Sequence, residues 1–164
     1  MAQAFSFYGQ GFSLRGDKGR FVLPPTFRRL VKDASHGERT LCLAKHDRWP
    51  CLTGFGMSRL QDFDQQLDRE EQAALTRGVE FDRDRRGSQL FGFLDVPFDE
   101  SGRFVLPDHL ASMVDLDGAA FFNGNGPFFT MWNPDSLAAM GEGFEQMQRG
   151  CEAFAAEAGR ARRK

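Results

Sequence analysis

Tyrosine is almost absent from this chain: one residue against 18 phenylalanines in 164 positions. Phenylalanine carries a large apolar area without a polar handle. A chain so rich in it has either a thick core or faces buried against another subunit. Cysteine is scarce. Cys42, Cys51 and Cys151 are an odd number without framework spacing, which excludes a disulfide scaffold and makes a reducing cytoplasm the simplest compartment. No apolar run approaches the length of a membrane span. Residues 1–12 lack the basic start and apolar stretch of a signal peptide. The net charge of -2 excludes a wholesale cationic coat but permits a local basic patch.

Catalytic motifs are missing as well. There is no G-x-S-x-G and no H-E-x-x-H to partner His36 or His109. Gly9-x-Gly11 is next followed by glycine at Gly16, which misses the dinucleotide spacing. Cys42, His46 and Cys51 lack zinc-site spacing and a fourth ligand. Asp99 and Glu100 are adjacent, a poor geometry for an acid/base pair. The expectation is a non-enzyme with no metal, no cofactor, no small-molecule substrate and no membrane partner.

What the chain does have is an echo. Gly19–Pro24 and Gly102–Pro107 both read Gly-Arg-Phe-Val-Leu-Pro, 83 positions apart. The flanks agree with it. Phe27, Leu30 and Val31 follow the first copy, and Leu110, Met113 and Val114 the second, each at the i, i+3, i+4 spacing of one helix face. Pro24, Pro25 and Pro107 suit helix entrances. Downstream, two strand–turn–strand patterns align at an offset of 77, pairing Pro50 with Pro127 and Thr53 with Thr130. The first copy carries six extra residues around Lys32–Arg39. Each copy ends in a longer helix. Ser58 is placed to cap one. Asn133 and Pro134 begin the other, which Gly141, Gly143 and Gly150 weaken.

Each half therefore reads as hairpin, short helix, hairpin, longer helix. The expected divisions are residues 1–81, a charged exposed linker at 82–87, and residues 88–164 ending in a frayed basic tail, Arg160–Lys164. Two such small units bury too little alone. Paired around a pseudo-two-fold axis they make one compact barrel, in an α+β, β-rich fold.

The polar half of the phrase is the candidate site. Phe12 and Leu14, a glycine-containing turn, then Arg20–Leu23 predict a hairpin whose tip carries Arg15, Lys18 and Arg20. A ribbon end with two or three cations fits the DNA major groove, where arginine pairs with guanine O6 and N7. Such a tip is also the composition of an ordinary solvated turn. Residues 9–32 hold six cations and one acid, a local +5, whereas residues 92–115 hold Arg103 against five acids, a local -4. Copy one is therefore the stronger electrostatic partner for phosphate. In copy two, Asp99 is placed to hold Arg103 across its turn.

The doubled signature, complete as Asp99-Glu-Ser-Gly-Arg103-Phe-Val-Leu-Pro107, resembles the MraZ family, bacterial transcriptional regulators related to the AbrB and MazE swapped-hairpin proteins. In copy one Lys18, Gly19 and Arg20 match, while Gly16 stands where the signature has aspartate. Trp132-Asn133-Pro134 resembles the family's second-copy ending. The resemblance implies an AbrB/MazE-like double-split β-barrel and assembly into a closed homo-oligomeric ring. It implies double-stranded DNA as partner, at promoter direct repeats upstream of the chain's own division and cell-wall operon in the nucleoid. It places DNA contacts on Arg20 and Arg103, with Lys18 beside the first; Arg15 is added from the charge count. Two rival readings are a MazE-like protein-binding antitoxin and a ring-forming structural protein without DNA.

Overall fold

The computed structural model describes residues 5–162. The first copy runs β1 (Gln10–Leu14), a 3-10 turn (Asp17–Gly19), β2 (Arg20–Val22), α1 (Pro25–Ala34), β3 (Thr40–Lys45), β4 (Leu52–Phe55) and α2 (Leu60–Arg77). After α3 (Arg83–Phe91) come β5 (Leu94–Pro97), β6 (Arg103–Val105), α4 (Asp108–Met113), β7 (Ala119–Gly124), β8 (Phe129–Trp132), α5 (Pro134–Ala138) and α6 (Glu145–Arg162). The fold is α+β. Six strands form one sheet in the order β1-β7-β8-β4-β3-β5, and β2 pairs with β6 in a separate ribbon.

The first hairpin expected from the sequence does not form as a ladder. β1 pairs with β7 and β2 pairs with β6, so two strands separated by one tight turn join different sheets. The other copy does the same: β5 pairs with β3 while β6 returns to β2. Apolar alternation explains the exchange. In β2 Phe21 is buried between Arg20 and Val22, and Leu23 is buried just beyond. Its equivalents Phe104 and Leu106 are buried likewise. One short three-residue strand cannot cover these side chains alone. Pairing with its own repeat sets Phe21 against Phe104, their ring centroids 6.4 Å apart.

Two registers relate the copies. The ribbon centres on Phe21 opposite Phe104, with Arg20 opposite Val105 and Val22 opposite Arg103. The large sheet centres on Thr53 opposite Thr130, with Leu52 opposite Met131 and Gly54 opposite Phe129. These are the sequence offsets of 83 and 77, each mapped onto itself by a half turn. The large sheet stays open, with β1 and β5 at its edges, and no closed barrel forms among the described residues.

Ten of the phenylalanines are buried, which favours the thick-core explanation of their abundance. Phe7, Phe27, Phe122 and Phe129 cluster over the sheet. A second cluster joins Phe121, Trp132, Leu137, Cys51 and Cys151, with Trp49 and Phe144 against it.

Four local expectations change. Ser58 does not cap α2: it lies in a 3-10 turn, Met57–Arg59, that runs straight into the helix. The long last helix is two helices, broken by a segment in which Gly143 takes φ +99°. Asn133 does cap α5, accepting from the Asp135 N–H. Residues 82–87, expected as an irregular linker, begin α3. Asp82 caps it by accepting from the Arg85 N–H. Two of its three cations find acids on α2 and the β3–β4 turn: Arg83 with Asp68 and Glu71, Arg86 with Glu70 and Asp47. The tail expected to fray stays helical through Arg162; Arg163 and Lys164 lie outside the described residues. The six extra residues of copy one lengthen α1 and add a turn in which His36 and Gly37 take positive φ.

Gly54 faces the Phe129 ring, which an added Cβ would overlap. Gly54→Ala therefore overpacks the junction of the two copies. Urea unfolding is expected to show a stability decrease of about 1–3 kcal/mol.

Candidate nucleic-acid interface

Both tips share one backbone design. The Gly16 N–H donates to Arg20 O (2.8 Å) and the Gly19 N–H to Gly16 O (3.1 Å). The Asp99 N–H donates to Arg103 O (3.0 Å) and the Gly102 N–H to Asp99 O (2.9 Å). Gly19 and Gly102 take φ +69° and +85°, conformations open to glycine without steric cost.

The side chains differ. Asp99 staples the second tip as its position suggested. Its Oδ1 accepts from the Ser101 and Arg103 N–H groups, each at 2.9 Å, and its Oδ2 accepts from Arg103 Nε at 2.7 Å. The Arg103 N–H foremost, then its guanidinium and the Ser101 N–H, hold the Asp99 carboxyl below the ordinary carboxylate value. At Gly16 no such staple exists. The first tip braces itself with cations and carbonyls instead: Arg20 Nε donates to Asp17 O (3.3 Å) and Arg15 Nε to Gly19 O (3.1 Å). The Arg15 guanidinium also lies 5.9 Å from the centre of the Phe21 ring. Arg15 thus underpins the turn, whereas Lys18 projects from it, exposed and in the left-handed region at φ +60°.

The ribbon brings the two copies' arginines together. Side chains alternate across a strand. Phe21 and Phe104 point into the core, so Arg20, Val22, Arg103 and Val105 share the outer face. From strand spacings, the Cα atoms of Arg20 and Arg103 are about 8 Å apart. Each arginine uses Nε to brace its own turn. Among the described residues, the terminal nitrogens of neither have a hydrogen-bond partner. A guanidinium held through Nε leaves its two terminal nitrogens free for bidentate pairing.

The charge map also changes. Cations of α1 do not flank only their own tip. Arg28 Nη1 reaches Glu100 O (3.5 Å), its Nη2 reaches Leu23 O (3.3 Å), and Arg39 pairs with the Glu100 carboxylate (3.6 Å). Arg28, Arg29, Lys32 and Arg39 line a cleft of about 470 Å³ with Asp33 and Glu100 beside the acidic tip. Arg28 from copy one, together with Arg39 just beyond the +5 window, brings cations to the acidic second tip. Nothing in the sequence singles out Arg39, because its partner is distant along the chain and no spacing rule encodes the pair.

The Cys42, His46, Cys51 trio is dispersed into packing. Cys42 belongs to the main core and Cys51 to the second cluster. Burial pushes both thiols up to about 12. His46 Nδ1 accepts from the Arg48 and Trp49 N–H groups, holding the β3–β4 turn, and its ring stacks on Trp49 at 4.5 Å.

No family model matches the chain. Three curated relatives, each named transcriptional regulator MraZ, are similar to most of it. The protein of Rhodospirillum rubrum is 32% identical over 124 residues, covering 74% of this chain and 76% of that one. That of Parvibaculum lavamentivorans is 30% identical over 135 residues, covering 82% and 80%. That of Ruegeria pomeroyi is 30% identical over 155 residues, covering 86% and 88%.

The two tips should respond differently to perturbation. Asp99 has a folded-state pKa below its unfolded value, so its contribution is complete above the ordinary value of 3.8 and fades as pH falls through the depressed one. Urea midpoints of wild type and Asp99→Asn should differ above pH 3.8 and converge as pH falls through the depressed folded-state value. Lys18→Gly removes the left-handed strain and is expected to raise stability by about 1 kcal/mol, read as a higher urea midpoint.

Proposed function

The chain belongs to the MraZ family of transcriptional regulators, and from that premise we propose that it binds DNA sequence-specifically through the outer face of the β2–β6 ribbon. The observation that carries this reading is the shared face. Arg20 and Arg103, from two copies, share one face of the ribbon with braced Nε atoms and, among the described residues, unpartnered terminal nitrogens. A two-stranded ribbon fits the major groove, and a fixed guanidinium fits guanine O6 and N7. Lys18 stands beside Arg20 as a phosphate contact, and Arg15 acts as a brace that keeps the first tip in shape.

The target is promoter direct repeats upstream of the chain's own division and cell-wall operon. Residues 1–81 and 88–164 act as two copies of one AbrB/MazE-like unit, a reading supported by the two self-mapped registers. The copies assemble further into a ring, in which one ribbon per subunit meets successive repeats and avidity raises affinity. Exposed Leu75, Val79 and Phe91, at the ends of α2 and α3, favour such subunit contacts. Among the described residues no helix is long and apolar enough to cross a membrane.

Anisotropy titration of the upstream duplex tests the proposal. Wild type is expected to bind with strong salt dependence. Arg20→Ala is expected to bind the specific site about 1–3 kcal/mol more weakly while keeping its oligomeric size. Wild-type affinity in Arg20→Ala would remove the ribbon from the interface.

A further inference from the structure

The outer face of the ribbon holds more than arginine. Val22 and Val105 are 38% and 59% exposed there, the former opposite Arg103 and the latter opposite Arg20. Each end of the ribbon thus carries one arginine and one bare valine on paired positions, with Cβ atoms about 5 Å apart. Strand propensity alone does not require valine at both. Threonine forms strands as readily and keeps a hydroxyl for water. The cations nearest these valines are Lys18, Arg20 and Arg103, the last held by Asp99 through Nε, while Arg28 and Arg39 engage Glu100 beyond the second tip. In a DNA major groove the apolar group available to such a side chain is the thymine C5-methyl.

We propose that Val22 and Val105 read thymine methyl groups. Each valine specifies a thymine about one base-pair step from the guanine taken by the arginine across the ribbon. The two arginine–valine ends lie about 7 Å apart along the strands, which is about two base-pair steps. The ribbon therefore selects guanine and thymine together at both ends, and the valines supply the part of the specificity that charge cannot. This rests on the DNA-binding reading above.

The test uses the full-length protein and a duplex enriched by it from a randomised pool. That duplex is resynthesised with deoxyuridine for thymidine, which removes only the methyl groups. Wild type is expected to bind the uracil duplex about 4-fold more weakly for each methyl group that a valine reads. Val22→Ala and Val105→Ala, singly and together, should progressively erase the preference for thymine while retaining dependence on Arg20 and unchanged oligomeric size. Equal wild-type affinity for both duplexes, with Arg20→Ala still impaired, would overturn the methyl reading and leave DNA binding standing. A change of oligomeric size in the valine variants would also overturn it, making this face a contact between copies. Failure to enrich any salt-sensitive duplex would sink the DNA reading and this inference together.

Discussion

The contact of Phe21 with Phe104 holds the rest of the structure in place. Each ring comes from a three-residue strand that cannot pair with the strand before it, because that strand belongs to the other sheet. Only the partner copy's strand completes it. Burial of the two rings at 0% and 1% exposure turns both ribbon strands so that the residues on either side of each ring point outward. The apolar phrase thus dictates where the polar residues go. Arg20 and Arg103 share a face because the residues following them must be inside.

Around that contact the two copies have diverged in how they stiffen their tips. The second uses a carboxylate, Asp99, to gather three N–H donors. The first has glycine there and uses backbone carbonyls, with Arg15 and Arg20 as donors, and holds Lys18 in a left-handed conformation. The outcome for Arg20 and Arg103 is the same: among the described residues Nε is engaged and the terminal nitrogens are not. The first solution leaves the tip cationic, the second makes it mixed. Arg28 and Arg39 then reach across from copy one to moderate the acidic tip. Two halves of opposite local charge become one surface.

Much of this is legible in the sequence, where the cause is local. The repeated phrase marks two copies related by a pseudo-two-fold axis, the i, i+3, i+4 triplets mark α1 and α4, and Asp99 sits at the right distance to hold Arg103. Long-range pairing is not legible. A glycine turn between Leu14 and Arg20 predicts a hairpin from local rules, and only the burial demand of Phe21 and Phe104 sends the strands elsewhere. Residues 82–87 look like a linker because their charges show no periodicity, yet Arg83 and Arg86 are matched by acids on α2 and in the β3–β4 turn. Arg15 counts as a DNA-facing cation by charge alone; its role as a brace depends on the position of the Gly19 carbonyl.

The central claim is that one ribbon face, built from both copies, meets the bases. A structure of the full-length protein bound to its upstream repeats tests this most directly. The account predicts the β2–β6 ribbon in the major groove, with terminal nitrogens of Arg20 and Arg103 on guanine edges. A complex in which that face lies in solvent, or between two protein subunits, would contradict it.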